Sequence, residues 1–523
     1  MPSSAMSPSQ RDDDEAAAVA TRGPPAHPNL TLIATCLGLF LGQVDTTAIN
    51  LALPAMSHDL SGGITGMQWA IDAYNVAFAA LLLTGGTLGD RFGRRRLFRT
   101  GITVFILGSI ACALAPTLGL LIAGRALQGI GSAAMLPQSL AILATAFPGR
   151  RERNRAMAAW SMVAGIGLAA GPTLGGLVVD EIGWKYIFWV NVPLGLAALL
   201  LAIKHVPESR NPLARELDPW GQLFGAVALG LTTFVVVDGR NQGWTSPTIL
   251  AGILLAVAAA AAFFRTERRH PDPMLPLNLM RRGQLPAATA VAFCMTFGMY
   301  ALFMLISLDF QQERGNSALA AGLKMLPLPL VFILLSPLVG RMVSRSGPRL
   351  PMTAGMLLMG TGLLLYALIG GNASIWLVEL AFVTVGVGLA LNTGPVVGVA
   401  VSAVEPNRAG LASGIANLAR IAGAALGVAA GGTVLAVVGG GATHGPAFLS
   451  GMRAALLVGG AVELLGAAIA FTRVRNPARP APGRADAPES TETNGTPDTA
   501  GTAETSGAVG AADVTGAGTA SRL

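Results

Sequence analysis

Charge is what this sequence has least of. Asp, Glu, Lys and Arg together make up 12% of its 523 residues, where a soluble globular protein carries about 25%. Half that density cannot cover a globule of this size with water-compatible surface. This excludes a large soluble protein, although length alone suggests three or four soluble domains. Cysteine is scarce as well: Cys36, Cys112 and Cys294 stand far apart in apolar runs. That spacing excludes a disulfide framework, a metal cluster and a redox pair, and leaves each as a small hydrophobic residue. Aromatics are few at 6%, and Tyr74, Trp160, Phe297, Tyr300 and Phe303 read as packing residues. The sequence also lacks a Gly-x-x-x-x-Gly-Lys-Ser/Thr phosphate loop and a nucleophile set with histidine and acid. An ATP-driven pump and a membrane-embedded enzyme are therefore disfavoured.

What the chain has instead is apolar length. Hydrophobic residues make up 52% and mean hydropathy is +0.58. Apolar runs of about 20 residues, each enough to cross a hydrocarbon core of about 30 Å, recur between short polar breaks. They predict helices near 29–53, 67–88, 98–116, 118–146, 156–180, 185–204, 219–238, 247–264, 286–309, 319–340, 350–370, 374–400, 409–439 and 447–472. Lipid cannot satisfy exposed backbone groups, so such runs form a helical bundle. The expected class is an all-α polytopic membrane protein with fourteen transmembrane helices.

Lys and Arg set the orientation. One set of alternate loops holds Arg91, Arg94, Arg95, Arg96, Arg99, Arg150, Arg151, Arg153, Arg155, Lys204, Arg210 and Arg215. It continues with Arg265, Arg268, Arg269, Arg281, Arg282, Arg341, Arg345, Arg349 and Arg408, and the opposite set offers Lys185, Arg240, Arg314, Lys324 and Arg453. Twenty-one against five predicts cytoplasmic loops on the rich side and both termini in the cytoplasm. The net charge of +7 thus reflects topology and gives no support to nucleic-acid binding. Residues 1–28 and 473–523 are polar, Pro- or Gly/Ala/Thr-rich segments and are expected to be disordered cytoplasmic tails.

The chain repeats itself. Gly86, Arg91, Gly93 and Arg95 align with Gly340, Arg345, Gly347 and Arg349 at an offset of 254, and Gly167, Gly171 and Gly175 precede Gly423, Gly427 and Gly431 by 256. Two agreeing offsets imply a duplicated six-helix unit, 29–204 and 286–472, with two inserted helices in 205–285. Many secondary transporters build two halves around a central site in this way.

Four motifs then carry a resemblance. They are Val44-Asp-Thr-Thr-Ala-Ile-Asn-Leu-Ala-Leu-Pro54, Gly86-Thr-Leu-Gly-Asp-Arg-Phe-Gly-Arg-Arg95, Gly124-Arg-Ala-Leu-Gln-Gly-Ile-Gly131 and Gly167-Leu-Ala-Ala-Gly-Pro-Thr-Leu-Gly-Gly176. In this order and at these helix positions the chain resembles the major facilitator superfamily, specifically its fourteen-helix drug:proton antiporters, over about residues 30–472. The resemblance implies the major facilitator fold, two six-helix halves plus two inserted helices. It also implies export of amphiphilic small molecules across a bacterial plasma membrane, driven by protons with no cofactor and as a monomer. An uptake symporter of the same fold is the alternative, and the motif in the fifth helix argues against it. The second half departs from the first: Ser344 stands where Asp90 does, and Phe382 lies 257 residues beyond Arg125.

Charge inside a bilayer costs at least about 2.5–3.5 kcal/mol and so must face a partner or a wet cavity. Asp45, Arg125 and Asp72 fall in the outer halves of their helices and are expected to share one cavity, with Gln128 on Arg125's face of the helix. Proton coupling is the functional reading and a structural salt bridge the plain one. Glu463 is a second titrating or cation-binding candidate, and Arg420 is the second half's buried arginine. Asp309 and Glu379 read as interfacial. In the loop motif, Gly89 and Gly93 are expected to permit a tight turn. Asp90 and Arg91 are expected to act in a gate, with Arg94 and Arg95 at the lipid surface. Gly167, Gly171 and Gly175 leave a smooth helix face beside Gly176, and Pro172 can bend that helix.

Overall fold

The computed structural model describes residues 27–210, 217–271, 273, 275, 279, 280, 283–369, 374–405 and 408–476. The tails beyond residues 27 and 476, with Arg215, Arg281 and Arg282, lie outside the described residues. Fourteen helices are long and apolar enough to cross a membrane, and no strand occurs among the described residues. The first six are α1 (Pro28–Asp59), α2 (Gly63–Phe92), α3 (Arg94–Ala113), α4 (Leu118–Ala146), α5 (Arg150–Glu181) and α6 (Lys185–His205). Next come α7 (Pro219–Gln242) and α8 (Pro247–Arg269). The last six are α9 (Leu285–Leu308), α10 in two pieces (Ala318–Lys324 and Pro327–Ser346), α11 (Arg349–Ile369), α12 (Ile375–Ser402), α13 (Ala409–Val438) and α14 (Gly445–Arg473).

Several helices outrun their apolar cores. α1 continues to residue 59 rather than 53, and α5 starts at 150 rather than 156. The backbone ladder continues into the polar interface after the hydropathy signal has ended. α10, expected as one helix over 319–340, is broken after Met325-Leu326: Pro327 opens the second piece without an N–H to bond the turn before it. α9 tightens differently, passing directly into one π turn over Asp309–Glu313.

The packing repeats with the sequence. Within the first six helices α1 packs on α5 and α6, α2 on α4, and α3 on α4 and α6; the last six show the counterpart of every one of these pairs. α2 meets α13, and the first piece of α10 meets α5, so the two halves face each other through equivalent helices. The start of α3 is also mirrored. Gly93 takes φ +115° beside Glu208, whose carboxylate accepts from the Arg95 and Arg96 amides (3.1 and 3.2 Å). Gly347 takes φ +75° beside Asn476, whose side-chain oxygen accepts from the Arg349 amide (3.1 Å). A side chain from the end of the half's last helix thus answers the unpaired amides at the start of its third.

Links between the halves gather toward the arginine-poor end. The Asp180 carboxylate accepts from the Ala318 and Leu319 amides (2.9 and 2.8 Å), and Ser307 and Gln311 donate to the carbonyls of Asn50 and Leu51. Gln68 donates to the Ala429 carbonyl at 2.7 Å. The inserted pair is not loose. α7 packs on α8, on α2 and on α13. Trp69 of α2 donates to Asp238 (2.8 Å), Asn241 of α7 donates to Thr65 (2.6 Å), and Thr433 of α13 donates to the Val236 carbonyl (2.6 Å).

Candidate functional site

The polar residues of α1 largely satisfy themselves. Thr46, Thr47 and Asn50 donate back to carbonyls three or four residues earlier. Asp45 reaches out instead. One carboxylate oxygen meets Nη1 of Arg125 at 2.5 Å; the other accepts from Gln128 Nε2 at 2.9 Å and Asn191 Nδ2 at 2.7 Å. Arg125 is fully buried. Its Nε donates to the Ala70 carbonyl (2.8 Å), its Nη1 also donates to Gln128 (2.7 Å), and its guanidinium lies 4.7 Å over the Tyr74 ring. Gln128 and Asn191 both reach Ser109 as well, at 2.8 and 3.4 Å. Side chains or backbone from α1, α2, α3, α4 and α6 therefore close one buried polar cluster. α3 and α4 approach closely enough for this because a Cβ at Gly108 would collide with Gln128, and one at Gly124 with Cys112.

The arrangement suits a switch. A carboxylate, which only accepts, meets three donors, and the bidentate-capable guanidinium has its remaining contacts filled by a carbonyl and an aromatic face. Removing either ionic partner would strand a buried charge. Asn191 and Ser109 were not singled out from sequence. Asn191 did leave a trace, as a polar side chain amid the apolar stretch of its helix.

The expectation that Asp72 shares this cluster needs correcting. Asp72 is fully buried, and neither carboxylate oxygen has a hydrogen-bond partner; no bond joins it to Arg125. It lies one turn after Gln68, the residue that reaches α13, so it shares that face of α2. Glu463 of α14 is equally enclosed and unpartnered, lying where Gly298 of α9 leaves room for it. Arg420 is only partly buried, not buried as expected, with an enclosed Nε lacking a partner and a backbone carbonyl bonded by Thr296. Asp309, expected near the outer interface, is enclosed within the protein, pairing with Arg314 (2.8 Å) and accepting from the Tyr366 hydroxyl (2.5 Å). Glu379 is partly buried.

The loop motif divides its labour. Gly93 makes the turn, but Gly89 does not: it is helical, and a Cβ there would collide with the Gln138 amide of α4. Asp90 pairs with Arg94 across the turn at 2.8 Å, and Arg94 extends toward the Ala141 carbonyl of α4. Arg91 is exposed over Phe92, Arg95 is partly buried in a groove, and the space beside Gly86 is open. Gly85, outside the motif, is pressed against the backbone of α4, at the Ala133 carbonyl. In the fifth helix, Gly167, Gly171 and Gly175 face α1 at Gln43, Thr47 and Ala48, while Gly176 faces Ala318 of α10; Pro172 meets α10 through its carbonyl, opposite Gly322. The partner glycines Gly423 and Gly427 face α9 at Phe293 and Phe297 in the same manner.

The comparisons agree with this architecture. The family model described as Major Facilitator Superfamily matches residues 35–240, 218–428 and 289–506. The "Multidrug resistance protein Stp" of Mycobacterium tuberculosis (strain CDC 1551 / Oshkosh) is 40% identical over 407 residues, 78% of this chain and 76% of its own. The "Tetracenomycin C resistance and export protein" of Streptomyces glaucescens is 31% identical over 513 residues, 89% of this chain and 95% of its own. Among solved structures, a POT family transporter in complex with 5-aminolevulinic acid superposes with a TM-score of 0.64 at 16% identity, covering 86% of this chain and 96% of that one. The chain belongs to the Major Facilitator Superfamily as a multi-pass membrane transporter, and groups there with drug-efflux and antibiotic-resistance proteins.

Proposed function

We propose that this protein is a proton-coupled antiporter that exports amphiphilic small molecules from a bacterial cytoplasm, with the arginine-rich face and both termini cytoplasmic. The observation that carries the reading is the buried, hydrogen-bonded Asp45–Arg125–Gln128–Asn191 cluster in the first half. The relatives that share this fold at 31–40% identity are resistance and export proteins, which supports the direction. The proton gradient is the sole driving force in this scheme, and no cofactor takes part.

The links across the halves favour a conformation shut at the arginine-poor end. In it Asp45 is held by Arg125. When the halves rock, α1 and α4 shift, water reaches the cluster, and Asp45 exchanges the guanidinium for an external proton. Asp72 and Glu463 are enclosed without a hydrogen-bond donor among the described residues, so each adds a place where proton and substrate compete. Arg420 adds a partly buried cation in the second half. Asp90 and Arg94 reset the cytoplasmic side.

Inverted vesicles with an imposed proton gradient test the proposal. Native protein should release protons when substrate is added, and Asp45→Asn should abolish that release while still inserting and binding substrate. Normal pumping by Asp45→Asn would remove the coupling role from this cluster. A rise in whole-cell uptake on expression would reverse the direction and favour a symporter.

A further inference from the structure

Between the start of α3 and the end of α6 runs a groove of about 550 Å³ that the transport scheme leaves unused. Arg95, Arg96 and Arg99 supply its cationic lining, and Val104, Leu199 and Ile203 its apolar lining. None of the three guanidiniums pairs with a carboxylate among the described residues; Arg96 is exposed, and Arg95 and Arg99 are partly buried. Glu208 also borders the groove, but its oxygens accept from the Arg95 and Arg96 backbone amides. Its charge answers the helix start and offsets only part of the three positive charges. Beyond the apolar lining, Leu107, Leu196 and Leu200 continue an exposed hydrophobic wall, at 54, 45 and 56% exposure.

The groove therefore combines two chemistries: a cationic clamp at the membrane surface and an apolar slot along the lipid-facing wall. We infer that it binds the phosphodiester head group of an acidic glycerophospholipid, with one acyl chain along Val104, Leu199 and Ile203. The arginines suit a phosphate oxygen cluster, since guanidinium forks match phosphate geometry, and basic residues at a membrane surface attract acidic lipid. Inorganic phosphate satisfies the clamp and leaves the slot empty, so clamp and slot together specify a lipid. The occupant would sit against the Gly93 turn and bridge α3 to α6.

The test is native mass spectrometry of the full-length, delipidated transporter titrated with phosphatidylglycerol, phosphatidylcholine or inorganic phosphate. The native chain should retain phosphatidylglycerol in preference to phosphatidylcholine, and millimolar inorganic phosphate should not displace it. At about fivefold per basic residue, the double variant Arg96→Gln/Arg99→Gln should bind phosphatidylglycerol roughly thirtyfold more weakly. Ile203→Trp, which changes no charge, should weaken it several-fold by filling the slot. Equal retention of the two lipids, or full retention by either variant, overturns the assignment. Displacement by inorganic phosphate overturns it in favour of a soluble-anion site.

Discussion

Arg125 is surrounded by groups chosen for a guanidinium: a carboxylate, an amide oxygen, a backbone carbonyl and an aromatic face. Arg125→Ala leaves Asp45 buried with no counter-ion, and we expect a loss of about 3–5 kcal/mol, read as a lowered melting temperature in detergent. Arg125→Lys keeps the charge but has one point of contact in place of a fork, so it should fall between native and alanine in the same assay. An alanine variant as stable as the native chain would show that the pair carries no structural weight. At this scale the sequence was informative where charge is expensive. Asp45, Arg125 and Gln128 were legible because ionisable residues in apolar runs demand partners. Asn191 and Ser109 were not, since one amide and one hydroxyl on separate helices are within the ordinary polar content of a bundle. Asp72 was legible as buried, but its facing was not, because depth along a helix says nothing of rotation about it.

Helix contacts separate glycines that look alike in the sequence. A Cβ at Gly85 meets the Ala133 carbonyl of α4, whereas Gly86 has open space beside it. Gly86→Ala should therefore be neutral or raise stability by about 0.5–1 kcal/mol through backbone entropy. Gly85→Ala should push α2 from α4 and lower both melting temperature and transport. The reverse order would mean that the motif glycine acts in a conformation other than this one. Fourteen spans were readable from hydropathy because each must match the thickness of one solvent. The break in α10 and the π turn after α9 were not. A proline at a helix start and a proline at a kink leave the same letter, and one extra residue in a turn leaves no periodic mark.

At the scale of the molecule, the duplication was readable from glycine spacing, yet the place of α7 was not. Its insertion point between the halves in sequence does not say which seam it fills, and the hydrogen bonds to Thr65 and Trp69 on one side and Thr433 on the other do. Closure at the arginine-poor end rests partly on Asp180 holding two amides at the start of α10. Asp180→Ala should loosen that end. A cysteine placed at Ser307 should then react faster with a membrane-impermeant maleimide applied from outside, and unchanged labelling would assign closure to the remaining contacts.

The matching caps at Glu208 and Asn476 yield one more consequence. They lie 268 residues apart, whereas Gly175 and Gly431 lie 256 apart. The twelve extra residues of the second copy all fall in between, one on α13, three in the connection and eight on α14. With the other end pinned by the caps, that length makes α14 about 12 Å longer than α6 at 1.5 Å per residue, while α13 gains only about 1.5 Å. The hairpin tip at Gly440 and Gly441 is exposed and in left-handed backbone. It is a natural handle: a short epitope inserted there should leave transport intact and bind antibody on unpermeabilised cells stripped of their wall. Staining only after permeabilisation would turn the whole molecule over in its membrane.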